Sequence, residues 1–201
     1  AYCGSKTTIA VSAWTTGMEV LLRWWGVGPG DEVILPAYTY CASANVVLHT
    51  GATPVLVDSD PTNFNLSISA VASAITSRTK VIMPVDIGGL PCDYAALFKL
   101  IEDKRSIFEL NSPEQEKLGR ILLAADAAHS FGALYNNKRV GSLADITVFS
   151  FHAVKNLTTA EGGAITFNLP DHFDHEEIYK TFNMKILHGQ SKDALAKTQK
   201  G

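Results

Sequence analysis

Ile146-Thr147-Val148-Phe149-Ser150-Phe151-His152-Ala153-Val154-Lys155-Asn156 joins an apolar, β-rich run to a polar loop that carries a lysine. Upstream, Ile121-Leu122-Leu123-Ala124-Ala125 is a second apolar run, and it ends in Asp126-Ala127-Ala128-His129. Short apolar runs without polar alternation are the pattern of strands buried on both faces. Such strands form parallel sheets covered by helices, and ligands gather outside their carboxyl ends. Each run delivers a titratable side chain to that place: Asp126 ends one strand, and Lys155 lies just past the other.

Working outward, apolar runs alternate with helical patterns. Residues 7–12 read as a strand and 15–25 as a helix, with Met18, Leu21, Leu22 and Trp25 on one face and Gly26 as its stop. Gly28-Pro29-Gly30-Asp31 is turn chemistry. Further strands are expected at 33–35 (closed by Pro36), 54–57, 81–85, 121–125, 146–151 and 164–167, and further helices at 42–49, 66–75 and 93–101. The polar stretch 102–117 reads as an exposed insertion. Helical residues after Asp171 lead to His188-Gly189, and 190–201 reads as a mobile polar tail. The alternation predicts an α/β fold with a mostly parallel sheet.

The bulk numbers exclude several classes. The 201 residues allow one sizeable core, and the 46% apolar and 18% charged fractions are those of a globular chain. A net charge of −3 offers no electrostatic case for nucleic acid or an anionic membrane. No apolar run approaches the ~18 residues of a membrane-crossing helix. Cys3, Cys41 and Cys92 form an odd, sparse set, expected as free thiols in a reducing, cytoplasmic setting. The chain does not start with Met, so a preceding segment is expected.

Lys155 and Asp126 can bracket a pyridine ring. A lysine after a strand is ordinarily a solvated charge, but Glu161-Gly162-Gly163 follows Lys155 and permits close backbone approach. A deprotonated lysine amine forms an imine with an aldehyde, and the freed amine then moves protons. An aspartate at a strand end is often only a cap; opposite a ring nitrogen it keeps that nitrogen protonated and makes the ring an electron sink. This is the chemistry of pyridoxal 5'-phosphate. His129 is placed to meet the phenolic oxygen of that cofactor, although a lone histidine is more often structural. Ala13-Trp14-Thr15-Thr16 opens a helix after a strand, so its N–H groups and the Thr15 hydroxyl form a phosphate cradle or else a plain cap. Ser150 is a second phosphate candidate. Tyr40 can lay its ring on the cofactor or sit in the core. His172-Phe173-Asp174-His175 lacks a third ligand at a sensible spacing, so no metal site is expected. The glycines 26–30 follow a helix rather than a strand, which argues against a dinucleotide loop.

In order along the chain, the segments 28–34 with Pro36, 51–55 with Val57-Asp58, Thr79-Lys80-Val81-Ile82, Asp126-Ala127-Ala128-His129, Val140-Gly141-Ser142, Ser150-Phe151, Lys155-Asn156, Glu161-Gly162-Gly163 and Leu187-His188-Gly189 resemble the DegT/DnrJ/StrS family of pyridoxal-phosphate-dependent sugar aminotransferases. The Ser-Phe-His-Ala lysine loop is most similar to the branch of UDP-4-amino-4-deoxy-L-arabinose aminotransferases. The resemblance implies a three-layer α/β sandwich, the fold type I of pyridoxal-phosphate-dependent transferases, and a homodimer with sites at the subunit interface. It implies glutamate as amino donor and a nucleotide-linked keto sugar as acceptor. Lys155 matches the Schiff-base lysine, Asp126 the pyridinium partner, His129 a family Gln or His, Tyr40 the stacking aromatic, and Thr15 and Ser150 phosphate ligands. Trp14 stands where the family usually has a small residue, and Asp86 where it commonly has histidine. Family members are nearly twice as long, so residues 1–189 are expected to be an incomplete large domain, with the carboxyl-terminal small domain outside this chain. A module that binds the cofactor without turnover is an alternative. A sugar dehydratase on the same fold is another, which Lys155 argues against because that branch carries histidine there.

Overall fold

The computed structural model describes residues 2–187 and 189. The elements run β1 (Thr7–Val11), α1 (Trp14–Trp24), β2 (Glu32–Pro36), α2 (Cys41–His49), β3 (Thr53–Val57), α3 (Ile68–Ala74), β4 (Thr79–Ile82), α4 (Tyr94–Asp103), α5 (Pro113–Leu118), β5 (Leu122–Asp126), β6 (Leu134–Tyr135), β7 (Lys138–Arg139), β8 (Ile146–Ser150), β9 (Gly163–Phe167) and α6 (His175–Ile186). The main sheet has the order β1-β9-β8-β5-β4-β2-β3. Strands β8, β5, β4, β2 and β3 are mutually parallel, whereas β9 is antiparallel to both β8 and β1.

The alternation along each strand explains the layers. Val33, Leu35, Leu122 and Ala124 face one side, with Met18, Leu21 and Leu22 of α1, Val46 and Val47 of α2 and Phe182 of α6. Ile34, Leu123 and Ala125 face the other, with Val71 of α3 and Leu97 and Ile101 of α4. Helices therefore cover both faces, the three-layer α/β sandwich expected from the sequence. The central strands are buried along their whole length. Edge strand β1 instead alternates buried and exposed residues. Edge strand β3 carries Pro54, which has no N–H to offer a further strand.

The chain leaves β2 outward to β3 and then returns to the far side of β2 for β4, β5 and β8. That reversal opens a crevice at the carboxyl ends of the strands. Strand β1 points the same way as β8, so the start of α1 reaches this edge too. Arg120 donates to both carboxylate oxygens of Asp145 at 2.7 and 2.8 Å, tying the starts of β5 and β8.

Three sequence expectations need correction. Strand β4 stops at Ile82 because Pro84 interrupts the ladder, and Val85 makes only an isolated bridge to Asp126. The hairpin β6–β7, turned through Asn136 and Asn137 at positive φ, was not anticipated. The stretch 102–117 is not simply exposed: it contains most of α5, and Gln115 is fully buried. Gln115 Nε2 and Ser112 Oγ both donate to the Trp25 carbonyl at 2.9 Å, and Asn111 Nδ2 donates to the buried Asp31 carboxylate at 2.8 Å. The segment thus satisfies polar groups left open by the end of α1 and the turn after it. The expected tail, 190–201, lies outside the described residues.

Candidate active site

A cavity of about 800 Å3 opens at the carboxyl edge of the sheet, and Trp14, Thr15, Tyr40, Asp126, His129, Ser150 and Lys155 all line it. The seven candidate cofactor ligands therefore meet in one place, brought there by β1, β2, β5 and β8 and the loops that follow them.

Asp126 closes β5 and is buried. Its Oδ1 accepts from the Ala128 N–H at 3.1 Å and its Oδ2 from Ser43 Oγ at 3.1 Å. Ser43 Oγ lies 2.9 Å from Thr39 Oγ1; since Ser43 spends its only proton on Asp126, Thr39 is the donor here. Burial pushes the Asp126 carboxyl from 3.8 up to about 7, opposed by these hydrogen bonds and the Lys155 charge and reinforced by neighbouring Asp86. Between 3.8 and about 7 the folded state thus keeps a proton that the unfolded chain has lost. Stability of the cofactor-free protein should fall as pH rises through this window, and Asp126→Asn should abolish that part of the slope. Thermal melts of the two proteins against pH test this: parallel curves would mean that burial does not penalise the charge.

Lys155 is half-buried in the loop between β8 and β9, where its N–H donates to the His152 carbonyl at 2.9 Å. Asn156 Nδ2 donates to the Phe131 carbonyl at 2.7 Å, pinning the lysine loop to the segment after Asp126. Burial and the Lys155 charge both hold the His129 imidazole below its usual pKa, favouring the neutral ring.

The start of α1 suits an anion. Its N-cap, Ala13, has no side chain to cap the free N–H groups, and no acidic residue occupies the first turn. The Trp14 indole packs in the main core, with Nε1 buried and without a partner among the described residues. Ser150 Oγ is buried at the end of β8 and accepts only a long 3.4 Å contact from the His152 N–H. Gly163 lets β9 run beneath this turn, because a Cβ there would meet Phe149 O at 2.6 Å, Ala13 C at 3.0 Å and Trp14 N at 3.1 Å. Gly163→Ala should therefore destabilise the fold by about 1–3 kcal/mol, seen as a lower melting temperature; an unchanged midpoint would refute the close approach.

Tyr40 is the N-cap residue of α2 and is 77% exposed, so it is not the core aromatic that its strand-end position allowed. Tyr38, Thr39, Ser43, His152 and Glu161 also line the cavity but were not singled out from the sequence. Ser43 left no local signal, because its partner lies 83 residues away. His152 was visible within the lysine loop, and its Nε2 lies 3.6 Å from Glu161 Oε1. His172 and His175 serve the start of α6: His172 Nε2 meets the Lys117 carbonyl at 2.9 Å, and His175 Nδ1 meets Thr7 Oγ1 at 3.1 Å.

A buried carboxylate without an ion-pair partner among the described residues, an uncapped helix start and a lysine around one cavity fit a phosphorylated pyridine aldehyde. Comparison with known proteins agrees with this chemistry. A GDP-perosamine synthase of Caulobacter vibrioides is 42% identical over 96% of this chain and 46% of its own length. A 3-amino-5-hydroxybenzoate synthase of Amycolatopsis mediterranei is 40% identical, over 96% and 45%. A Streptococcus pneumoniae structure described as a sugar aminotransferase in its PLP form superposes with a TM-score of 0.93 at 46% identity, covering 96% of this chain and 49% of that one. The chain spans about half the length of the curated relatives it matches. The profile of the DegT/DnrJ/EryC1/StrS aminotransferases matches residues 1–199, and the chain belongs to that family.

Proposed function

We propose that residues 1–189 form the large, cofactor-binding domain of a pyridoxal-phosphate-dependent aminotransferase that moves an amino group from glutamate to a keto group of a nucleotide-linked sugar. The observation that carries this reading is the convergence of Lys155 and buried Asp126 on one cavity with the uncapped start of α1. When bound, pyridoxal phosphate supplies an aldehyde that takes up amines and a ring that withdraws electrons from the adjoining carbon.

The residues divide the remaining work. The first N–H groups of α1, beginning at Trp14, hold the phosphate with Thr15 and Ser150. The Asp126 carboxylate, its plane fixed by Ser43 and the Ala128 N–H, would accept a hydrogen bond from the ring nitrogen and keep it protonated. His129 would meet the phenolic oxygen and Tyr40 would cover the ring, both lining the cavity. Lys155 Nζ, the amine at the cavity wall, would hold the cofactor's aldehyde end and, when free, would move a proton at the donor's α-carbon. Exposed Tyr38, Tyr40 and Val154 beside the cavity are consistent with a second subunit closing it, as a homodimer. Three free cysteines are consistent with the cytoplasm.

Glutamate added to the cofactor-loaded protein should discharge the long-wavelength absorption of the bound aldehyde, and a keto nucleotide sugar should restore it. A spectrum indifferent to glutamate would instead support a binding module without turnover. Lys155 disfavours the dehydratase reading.

A further inference from the structure

Asp86 is a buried carboxylate that the proposed chemistry leaves idle. It follows β4, beside the end of β5. Its N–H donates to the Asp126 carbonyl at 3.1 Å, and the Asp126 N–H donates to the Pro84 carbonyl at 2.8 Å, so the two aspartates ride on adjoining strand ends. Only 1% of Asp86 is exposed, although it is not itself part of the cavity wall. Its Oδ1 accepts from the Cys92 N–H and the Tyr94 hydroxyl, each at 2.9 Å, and its Oδ2 lies 2.7 Å from Ser130 Oγ. Through these bonds one side chain joins two segments to its own. Ile87–Gly89, which begins at the next residue, walls the cavity at Ile87 and Gly88. Cys92 and Tyr94 belong to the start of α4, and Ser130 is the neighbour of His129.

The charge around Asp86 is one-sided. Its titratable neighbours are Cys92, Tyr94 and Asp126, all acids whose proton burial helps retain. No lysine, arginine or histidine pairs with it among the described residues. The cation that does act nearby, Lys155, acts on Asp126. A buried anion without a counter-ion is expensive, and a second one beside Asp126 more so. Ser130 Oγ donates to Oδ2 when the carboxyl is charged; it makes no other side-chain bond among the described residues, so its hydroxyl can turn to accept the proton of a neutral Oδ2 instead.

We propose that Asp86 is a positioning residue that stands in the fold as a neutral carboxylic acid, tying the Ile87–Gly89 wall and the His129–Ser130 turn to the end of β5 while leaving Asp126 as the single anion at the cofactor ring. The proposal rests on the cofactor reading of the cavity for its purpose, but not for its physical state. Burial drives the Asp86 carboxyl in the same direction, upward.

Infrared difference spectra of the cofactor-free protein at mildly alkaline pH test the state directly. The C=O stretch of a protonated carboxyl should persist in Asp126→Asn and vanish in Asp86→Asn. Its absence from Asp126→Asn would overturn the proposal, whatever the protein binds. Pyridoxal phosphate titrations test the positioning. Asp86→Asn, which imitates the neutral acid, should bind within about threefold of the parent, whereas Asp86→Ala leaves the Cys92 N–H, the Tyr94 hydroxyl and Ser130 Oγ without their partner and should bind roughly ten- to a hundredfold more weakly. Tenfold weakening in Asp86→Asn, or none in Asp86→Ala, would overturn it. If Asp86→Ala does not fold, the infrared band and the asparagine variant still decide. If the parent itself failed to bind pyridoxal phosphate, the functional reading would fall while the infrared result stood.

Discussion

Lys155→Ala is expected to reduce amino transfer by roughly ten-thousand-fold or more, because in the proposed reaction one amine both anchors the aldehyde carbon and shuttles the proton. Lys155→Arg should be no better: it keeps the charge but offers no amine that deprotonates near neutral pH. Neither change should disturb the fold. Lys155 is half-buried on a loop, and its side chain makes no hydrogen bond or ion pair among the described residues. Surface substitutions of that kind shift stability by about 0.5 kcal/mol or less. The cofactor should still enter, held by its phosphate at the start of α1, but without the long-wavelength absorption of the lysine-bound form. Adding a small primary amine should restore part of the proton transfer. Single-turnover measurements with glutamate provide the check: a Lys155→Ala protein within a hundredfold of the parent would remove Lys155 from the chemistry.

The second large effect belongs to Asp126→Asn. The side chain keeps its size and can still meet Ser43, but it cannot hold a ring nitrogen in its protonated form. The electron sink is lost, and proton removal from the donor should slow by about a hundred- to ten-thousand-fold, the range of acid–base contributions. Cofactor affinity should fall as well, by roughly ten- to a hundredfold, because a charge-assisted hydrogen bond becomes a neutral one. The two effects separate at saturating cofactor, where only the first remains. If turnover at saturation fell less than tenfold, Asp126 would not be the ring's partner. The same variant should be more stable than the parent above about pH 7 when empty, since burial raises the Asp126 carboxyl to about 7. Lower activity with higher stability is the signature of a charge held for function.

The legible parts of the molecule were those whose cause is local. Strands β2, β5 and β8 announce themselves because burial on both faces demands unbroken apolar runs. Asp126 and Lys155 were readable because each sits within a few residues of such a strand end. The less legible parts depend on distant partners. Gln115 looks like any polar helix residue until the Trp25 carbonyl is seen to need a donor. Ser43 is an unremarkable helical serine until α2 is laid against the end of β5. Asp86 was noticed only as a departure from the family pattern; its closure by Cys92, Tyr94 and Ser130 required the fold. The β6–β7 hairpin, built from short strands, carries too little pattern to stand out beside the long runs.

The sheet order has a consequence for how the protein is made. Thr7 pairs with Phe167 and Val11 with Gly163, so β1, the earliest of the described strands in the sheet, finds its place beside β9, the latest of them. The turn at Ala13-Trp14-Thr15, proposed to hold the phosphate, rests on the backbone of Gly163. That turn has no platform until nearly all of the sheet has been synthesised. Pairing so distant in sequence is slow to form. During synthesis the nascent chain can bury its β2–β5 interior early, but it cannot offer a finished anion site. Cofactor capture is thereby reserved for chains translated through β9, and a polypeptide that stalls earlier should emerge without it.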